Sequence, residues 1–205
     1  MNHAQALDTA DVEVLWRLTR AYVELGQLAS EKSQKRRFYE AAMQNGQAAI
    51  VADSQSCIAF TWLSIAEGTT ATVVDFKQKV KLVWQIRDHA LRAIRLDPES
   101  DIAYHVMARW HAEIASIGGL KRTMANLLYG DLPEASFQES VAYYQRAIAL
   151  HDQIHHRLEL AKVYLRMDDN VEAQEELKDV LAMQSERRLD DQYKAEARRL
   201  LDGLP

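Results

Sequence analysis

Apolar residues recur along this chain with the three- and four-residue spacing of amphipathic helices. Two segments also end in nearly the same nine-residue sequence. ALRAIRLDP occupies residues 90–98 and YQRAIALHD occupies residues 144–152. Repetition of this kind indicates stacked helical hairpins, in which each hairpin buries its apolar face against its neighbours. A surface built from several hairpins, rather than a catalytic pocket, is then the place to look for function.

The repeated unit follows the tetratricopeptide pattern, which reads W-x2-L-G-x2-Y on a first helix and A-x3-F, then P, on a second. The first-helix part of the pattern occurs four times, and its first residues are Leu15, Ala59, Tyr104 and Arg157. We therefore predict an all-α fold, a tetratricopeptide-like α-solenoid of about four helical hairpins with an inserted helix in the third repeat and a C-terminal capping helix. The repeats lie at about 11–53, 55–98, 101–152 and 154–184 of a single domain, 1–205, with the insertion at about 118–133 and the capping helix at about 191–202.

Spacing inside the repeats predicts two long helices. The interval from the eighth pattern position of the first helix to the alanine position of the second is 23 residues in the first two repeats, but 12 residues in the fourth. The difference corresponds to about three helical turns, so the apolar faces keep their direction. We expect long second helices near residues 31–53 and 72–97, with Pro98 ending the latter.

The third repeat is interrupted by the insertion. Gly118 and Gly119 break the preceding helix. Four apolar residues then follow at the spacing of one helix face: Leu120, Met124, Leu127 and Leu128. We expect a short helix that covers the edge of the stack, because apolar stripes usually pack. The alternative is an element that contacts a partner or lipid, with Lys121 and Arg122 beside the apolar face.

The composition indicates which cellular compartment and which classes of partner to expect. A net charge of −5 argues against a nucleic-acid-binding protein. The single cysteine, Cys57, cannot form an internal disulfide and is expected to be a packed residue, which favours a reducing compartment. The first 14 residues contain no secretion signal, and no stretch approaches the roughly 20 apolar residues that a membrane span needs. We expect a cytoplasmic protein without a transmembrane segment.

Three segments resemble the regulator of microtubule dynamics (RMD) family: LWRLTRAY at 15–22, RDHALRAIRLDPES at 87–100, and the long stretch from YHVMARWHAE to YYQRAIAL at 104–150. The resemblance runs from about Asp11 to about Leu201 and includes the inserted segment. It implies a non-enzymatic helical-repeat protein. Some members associate with microtubules and the spindle, and others lie on mitochondria or endoplasmic reticulum, where the repeat domain is linked to contact sites and lipid handling. Membrane-tethered members carry an N-terminal anchor, which we do not find here.

First helices of a tetratricopeptide stack line its concave face, chiefly through positions two, five, nine and twelve of the pattern. Positions five and nine, with one residue a turn further on, predict a partner-binding groove of cations and mainly aromatic side chains: Trp16, Arg20, Phe60, Ser64, His105, Arg109, Lys162 and Arg166. Such a groove suits an acidic or C-terminal segment of a protein partner, or an anionic lipid headgroup. The alternative is that its cations pair with Glu24, Glu67 and Glu113.

Two further functions stay open beside a protein-binding scaffold. A lipid-binding or transfer domain would enclose an apolar cavity between the long helices. Direct binding to tubulin or microtubules would need a positive outer face, because the microtubule surface is acidic. The candidates for that face are Lys32, Lys35, Arg36 and Arg37.

Motifs for enzyme chemistry are missing from the sequence. It contains no G-x-G-x-x-G, no G-K-[ST] phosphate loop and no H-E-x-x-H zinc helix, so we predict no enzyme and no cofactor. His151, His155 and His156 cluster around one turn and invite a metal hypothesis. We predict no metal site, because the sequence places no cysteine or carboxylate partner in register with them.

Overall fold

The computed structural model describes residues 11–119, 122, 123, 126, 127 and 131–204. Within these residues the chain is helical and contains no strand, which confirms the predicted all-α fold. The helices are α1 (Val12–Leu28), α2 (Lys32–Ala52), α3 (Cys57–Thr70), α4 (Phe76–Leu96), α5 (Asp101–Ala115), α6 (Phe137–Leu150), α7 (Ile154–Arg166), α8 (Asn170–Ala182) and α9 (Asp190–Asp202). None of these helices is long and apolar enough to cross a membrane.

Contacts divide the chain into two compact units. The N-terminal unit consists of residues 1–98 with 124–132, and the C-terminal unit consists of residues 99–123 with 133–205. Helices α1–α4 belong to the former and α5–α9 to the latter. A single domain over 1–205 stays a prediction.

In the N-terminal unit, α1 pairs with α2 and α3 pairs with α4, while α3 also packs against α1 and α2. Small residues lie where helices approach most closely. A Cβ atom at Gly26 of α1 would overlap the ring of Tyr39 on α2, and one at Gly46 would lie 3.1–3.2 Å from Leu63. Ala42 and Ala66 are fully buried in the same core. Small residues at these positions therefore allow the helices to approach closely.

Helix α3 is buried on most of its circumference, although it carries several hydroxyl groups. Each hydroxyl donates to a backbone carbonyl one turn earlier in the same helix: Thr61 to Cys57, Ser64 to Phe60, Thr69 to Ile65 and Thr70 to Ala66, at 2.7–3.1 Å. These polar groups are therefore satisfied without a partner on another helix.

The second helices of the first two repeats are long, as the spacing predicts. Helices α2 and α4 have 21 residues each, compared with 14 for α6 and 13 for α8. The excess is nearer two turns than three, and α4 begins at Phe76 and not at residue 72. Asp75 sets that start, since its carboxylate accepts a hydrogen bond from the backbone N–H of Gln78 at 2.9 Å and caps the helix.

In the C-terminal unit, α5 pairs with α6 and α7 with α8, and α9 covers the last hairpin by packing on α7 and α8. Buried Leu158, Leu177 and Ala197 join these last three helices in one core cluster. The Ser140 hydroxyl of α6 donates to the Ala108 carbonyl of α5 at 2.7 Å. The helix predicted at 191–202 is α9.

The predicted inserted helix falls largely outside the described residues, which exclude Leu120, Lys121, Met124 and Leu128. Within the described residues, Leu127 is 83% exposed, contrary to the expectation that it packs on the stack. Arg122 donates to the carbonyl of Pro133 at 2.8 Å.

Candidate functional site

In the N-terminal unit, two predicted groove residues are core residues instead. Phe60 is buried against His89, with ring centroids 5.8 Å apart, and Ser64 is 1% exposed. The groove prediction is wrong for both, because α3 is enclosed by neighbouring helices and offers them no solvent-facing side. Trp16 and Arg20 lie on α1, where Trp16 is partly buried and Arg20 is exposed.

Arg20 is held by two neighbours. Its Nε donates to Glu24 at 2.8 Å, and its guanidinium lies 5.6 Å from the ring centroid of Trp62. The expected alternative, pairing with Glu24, therefore holds for Arg20. Glu67 pairs instead with His89, at 3.0 Å between a carboxylate oxygen and Nδ1.

The C-terminal unit has a face on which α5, α7 and α9 carry charges of both signs. Lys162 of α7 lies 2.7 Å from Glu159 and 3.0 Å from Glu196 of α9. Arg166 of α7 binds Glu113 of α5 at 3.1 Å. We call this surface the charged face, and its residues are Arg109, Glu113, Glu159, Lys162, Arg166 and Glu196.

Carboxylates fix two of the three cations on the charged face. Burial disfavours the ammonium of Lys162, but Glu159 and Glu196 outweigh that effect and raise its pKa. Arg109 differs, because it is exposed and forms no ion pair with another described residue. It lies one turn from Glu113 along α5. Of the predicted groove cations in this unit, Arg109 is the one open to an incoming anion.

A single groove containing Arg20, Arg109 and Lys162 stays a prediction, because Arg20 belongs to one unit and the other two residues to the other.

His105 belongs to a cluster of side chains at the α5–α7 contact. Its Nδ1 lies 2.8 Å from Nδ1 of His156, and its ring centroid is 5.0 Å from that of His155. His105 is partly buried, and its role as a groove residue stays a prediction. Sequence reasoning could not find this cluster, since His105 and His156 are 51 residues apart.

The predicted outer basic residues lie at the start of α2. Lys32, Arg36 and Arg37 are exposed and Lys35 is partly exposed. Arg36 donates to Glu40 at 2.7 Å, and this neighbour raises the pKa of the guanidinium.

An open cleft of about 290 Å³ lies beside the α6–α7 turn. Most of the side chains that line it are polar or charged, among them Asp152, Gln153, Glu186, Arg187 and Asp190. This cleft offers no apolar chamber for a lipid chain.

Comparison with known proteins gives the family. The family model described as Regulator of microtubule dynamics protein 1-3 matches residues 1–205. The chain belongs to this family. Among RMD relatives, it is 28% identical to regulator of microtubule dynamics protein 1 of Bos taurus over 204 residues, which are 98% of this chain and 64% of the relative. It is 27% identical to protein 1 of Caenorhabditis elegans over 194 residues, 92% of this chain and 84% of the relative.

The RMD chain described here therefore spans just under two thirds of the bovine relative's length. A crystal structure of a thermophilic TPR protein from Thermus thermophilus is similar to it, with a TM-score of 0.68 and 19% identity, over 92% of this chain and 82% of that one. This similarity confirms the tetratricopeptide-like fold. No catalytic activity is indicated by the names of the family and its members.

Proposed function

We propose that this RMD-family protein is a non-enzymatic scaffold that binds an acidic segment of a protein partner on the charged face of its C-terminal unit. One observation supports this most directly. Arg109 is exposed and forms no ion pair with another described residue, whereas Lys162 and Arg166 beside it are held by carboxylates.

Lys162 and Arg166 contribute to partner binding because their side chains are already held in place. Carboxylates hold Lys162 at 2.7 and 3.0 Å and Arg166 at 3.1 Å, so a partner does not have to order these long side chains when it binds. The same carboxylates cancel much of the positive charge, which restricts strong attraction to Arg109. A planar guanidinium binds a carboxylate through two parallel N–H donors. The preferred ligand is therefore a short segment with a carboxylate aimed at Arg109, either an acidic side chain or a chain terminus.

A charge reversal at Arg109 tests this proposal. Fluorescence anisotropy measures the affinity of the protein for a labelled glutamate-rich peptide and for a glutamine-rich peptide of the same length. We expect Arg109→Glu to weaken binding of the acidic peptide about 10- to 100-fold, the value of one hydrogen-bonded charge pair.

Arg188→Glu is the matched control, since it makes the same change of charge at an exposed position of the α8–α9 loop. Equal binding by wild type and Arg109→Glu would contradict the proposal. Equal weakening by both variants would do so as well, because it would reflect net charge alone.

A second candidate function is direct binding to microtubules through the start of α2. The relatives named above are called regulators of microtubule dynamics. Lys32, Lys35, Arg36 and Arg37 all lie in the first two turns of α2, whose first turn contains no acidic residue. The helix dipole disfavours cations at this end, so their accumulation there has a cost in stability that a binding role would explain.

Co-sedimentation with microtubules at several salt concentrations tests this second function. The triple variant Lys35→Ala, Arg36→Ala, Arg37→Ala should lose salt-sensitive binding. A second triple variant, with alanine at the exposed positions Lys77, Lys79 and Lys81 of α4, removes the same charge elsewhere and should retain it. Undiminished binding by the first variant would exclude the α2 surface.

A further inference from the structure

Three histidines from two repeats meet where α5 contacts α7. His105 comes from α5, and His155 and His156 come from the first turn of α7. One ring nitrogen from each lies within 4.8 Å of the others. His156 is fully buried, and the other two are partly buried. Three imidazoles that converge in a protected place form a donor set suited to a transition-metal ion.

A carboxylate fixes the orientation of the central ring. Nε2 of His156 lies 3.0 Å from a carboxylate oxygen of Asp101, which accepts the hydrogen bond. Because Nε2 of His156 donates to Asp101, Nδ1 of His156 is left as the acceptor of the hydrogen bond from Nδ1 of His105, 2.8 Å away. In metal sites, a carboxylate commonly orients a metal-binding histidine through such a hydrogen bond to its other ring nitrogen.

Asp101 is itself held by a second polar group. The side-chain amide of Gln153 donates to the same carboxylate oxygen at 2.6 Å. Burial opposes the charge of Asp101, but the hydrogen bond from His156 outweighs it and lowers the pKa of this carboxyl. The sequence suggested no carboxylate partner for the histidines. The fold supplies one, and it adds His105 as a third ligand.

Burial shifts the pKa values of the other two rings, His105 and His155. Burial lowers the pKa of His155 from 6.5 to about 3. Burial also lowers the pKa of His105 well below its ordinary value, and the neighbouring His156 and His155 add to this effect. Nδ1 of His105 donates the 2.8 Å hydrogen bond to His156, so coordination through both Nδ1 atoms requires the proton of His105 to move to its Nε2.

We propose that His105, His155 and His156 form a binding site for one divalent transition-metal ion of the zinc type, with Asp101 as the carboxylate that orients His156. Two ligands of tetrahedral zinc, each about 2.0–2.1 Å from the metal, are about 3.3 Å apart. The Nδ1 atoms of His105 and His156 are 2.8 Å apart, so the rings separate by about half an ångström when the ion enters. Side-chain torsions can absorb that movement.

The ion would join the third and fourth repeats. Arg109 follows His105 by one turn of α5, and Lys162 lies on α7 two turns after His155. An ion bound to both helices therefore fixes the separation of α5 and α7, two of the three helices that carry the charged face. The 290 Å³ cleft is lined in part by His151 and Gln153, which both lie close to Asp101.

Zinc and cobalt binding by the full chain test the site. The tag-free protein is stripped with a chelator and titrated with Zn²⁺ by calorimetry, and with Co²⁺ by visible absorption. We expect one ion per chain and the intense visible bands of four-coordinate cobalt, without the near-ultraviolet thiolate band that Cys57 would give. We expect His155→Gln to abolish the cobalt bands and Asp101→Asn to weaken Zn²⁺ binding about 10- to 100-fold.

His151→Gln is the matched control. His151 is exposed and lies 3.6 Å from Asp101, but it is not one of the three ligands, so this variant should bind as wild type does. Circular dichroism establishes that each variant folds. If His155→Gln does not fold, the cobalt spectrum of wild type decides by itself. Absence of stoichiometric binding, a thiolate band, or binding that His151→Gln removes and His155→Gln spares would each overturn the proposal.

Discussion

Two glycines at matching helix positions allow a direct test of close packing in the N-terminal unit. Gly26 lies two residues before the end of α1, and Gly68 lies two residues before the end of α3. A Cβ atom at Gly68 would meet nothing within 4 Å, whereas one at Gly26 would overlap the ring of Tyr39. The same substitution, glycine to alanine, should therefore have opposite effects.

The magnitudes follow from backbone entropy and overpacking. Gly68→Ala should stabilise the protein by about 0.5–1 kcal/mol, because alanine loses less conformational entropy in a helix. Gly26→Ala has the same gain but forces the ring of Tyr39 to move, and overpacking costs about 1–3 kcal/mol. Tyr39 is 4% exposed, so its ring cannot simply turn into solvent. The net loss should be about 1–2 kcal/mol.

Urea unfolding followed by circular dichroism measures both changes. With a slope near 2 kcal/mol per molar urea, Gly26→Ala should lower the midpoint by about 0.5–1 M and Gly68→Ala should raise it slightly. Combining Gly26→Ala with Tyr39→Leu should remove most of the penalty, which a double-mutant cycle would detect. If Gly26→Ala raises the midpoint as Gly68→Ala does, α1 and α2 are not in the close contact described.

Substitutions at two further positions test a buried carboxylate and a strained turn. Burial raises the pKa of Glu67 above 4.5 despite its bond with His89, so this group favours folding below pH 4.5 and loses that contribution as pH rises through its folded pKa. Glu67→Gln keeps an acceptor for His89 and should be at least as stable as wild type in urea at pH 7, with an advantage that disappears near pH 4; a constant difference would contradict this. Asp168 has a φ of 62°, so Asp168→Gly should raise the thermal midpoint and Asp168→Val should lower it, and the reverse order would refute strain at this turn.

Much of the fold could be predicted from the sequence, because the repeat pattern records where helices must approach. Pro98 and the small residues at 42 and 66 carry that information directly. The start of α4 could not be predicted, since Asp75 competes with the periodic pattern through a local cap. Interval lengths do not distinguish additional helix from additional loop.

The candidate site was harder to predict for two physical reasons. Pattern positions assume that each first helix keeps one side open to solvent, and α3 does not, so Phe60 and Ser64 were misplaced. The sequence also does not show which carboxylates pair with each cation of the predicted groove. Glu159 is close to Lys162 in sequence, but Glu196 reaches Lys162 from the last helix, and only the packing of α9 on α7 reveals that pair.

The hydroxyl groups of α3 have a consequence for how that helix is oriented. The hydroxyls of Thr61, Ser64 and Thr70 donate to backbone carbonyls of α3 itself. They therefore form no directional bond that would fix the angle between α3 and its neighbouring helices. The rotation of α3 about its axis then depends on side-chain volumes and on the directional link from Glu67 to His89. Replacing such a hydroxyl by a methyl group of equal size would leave the orientation of α3 unchanged, while a change of volume at the same position would turn the helix.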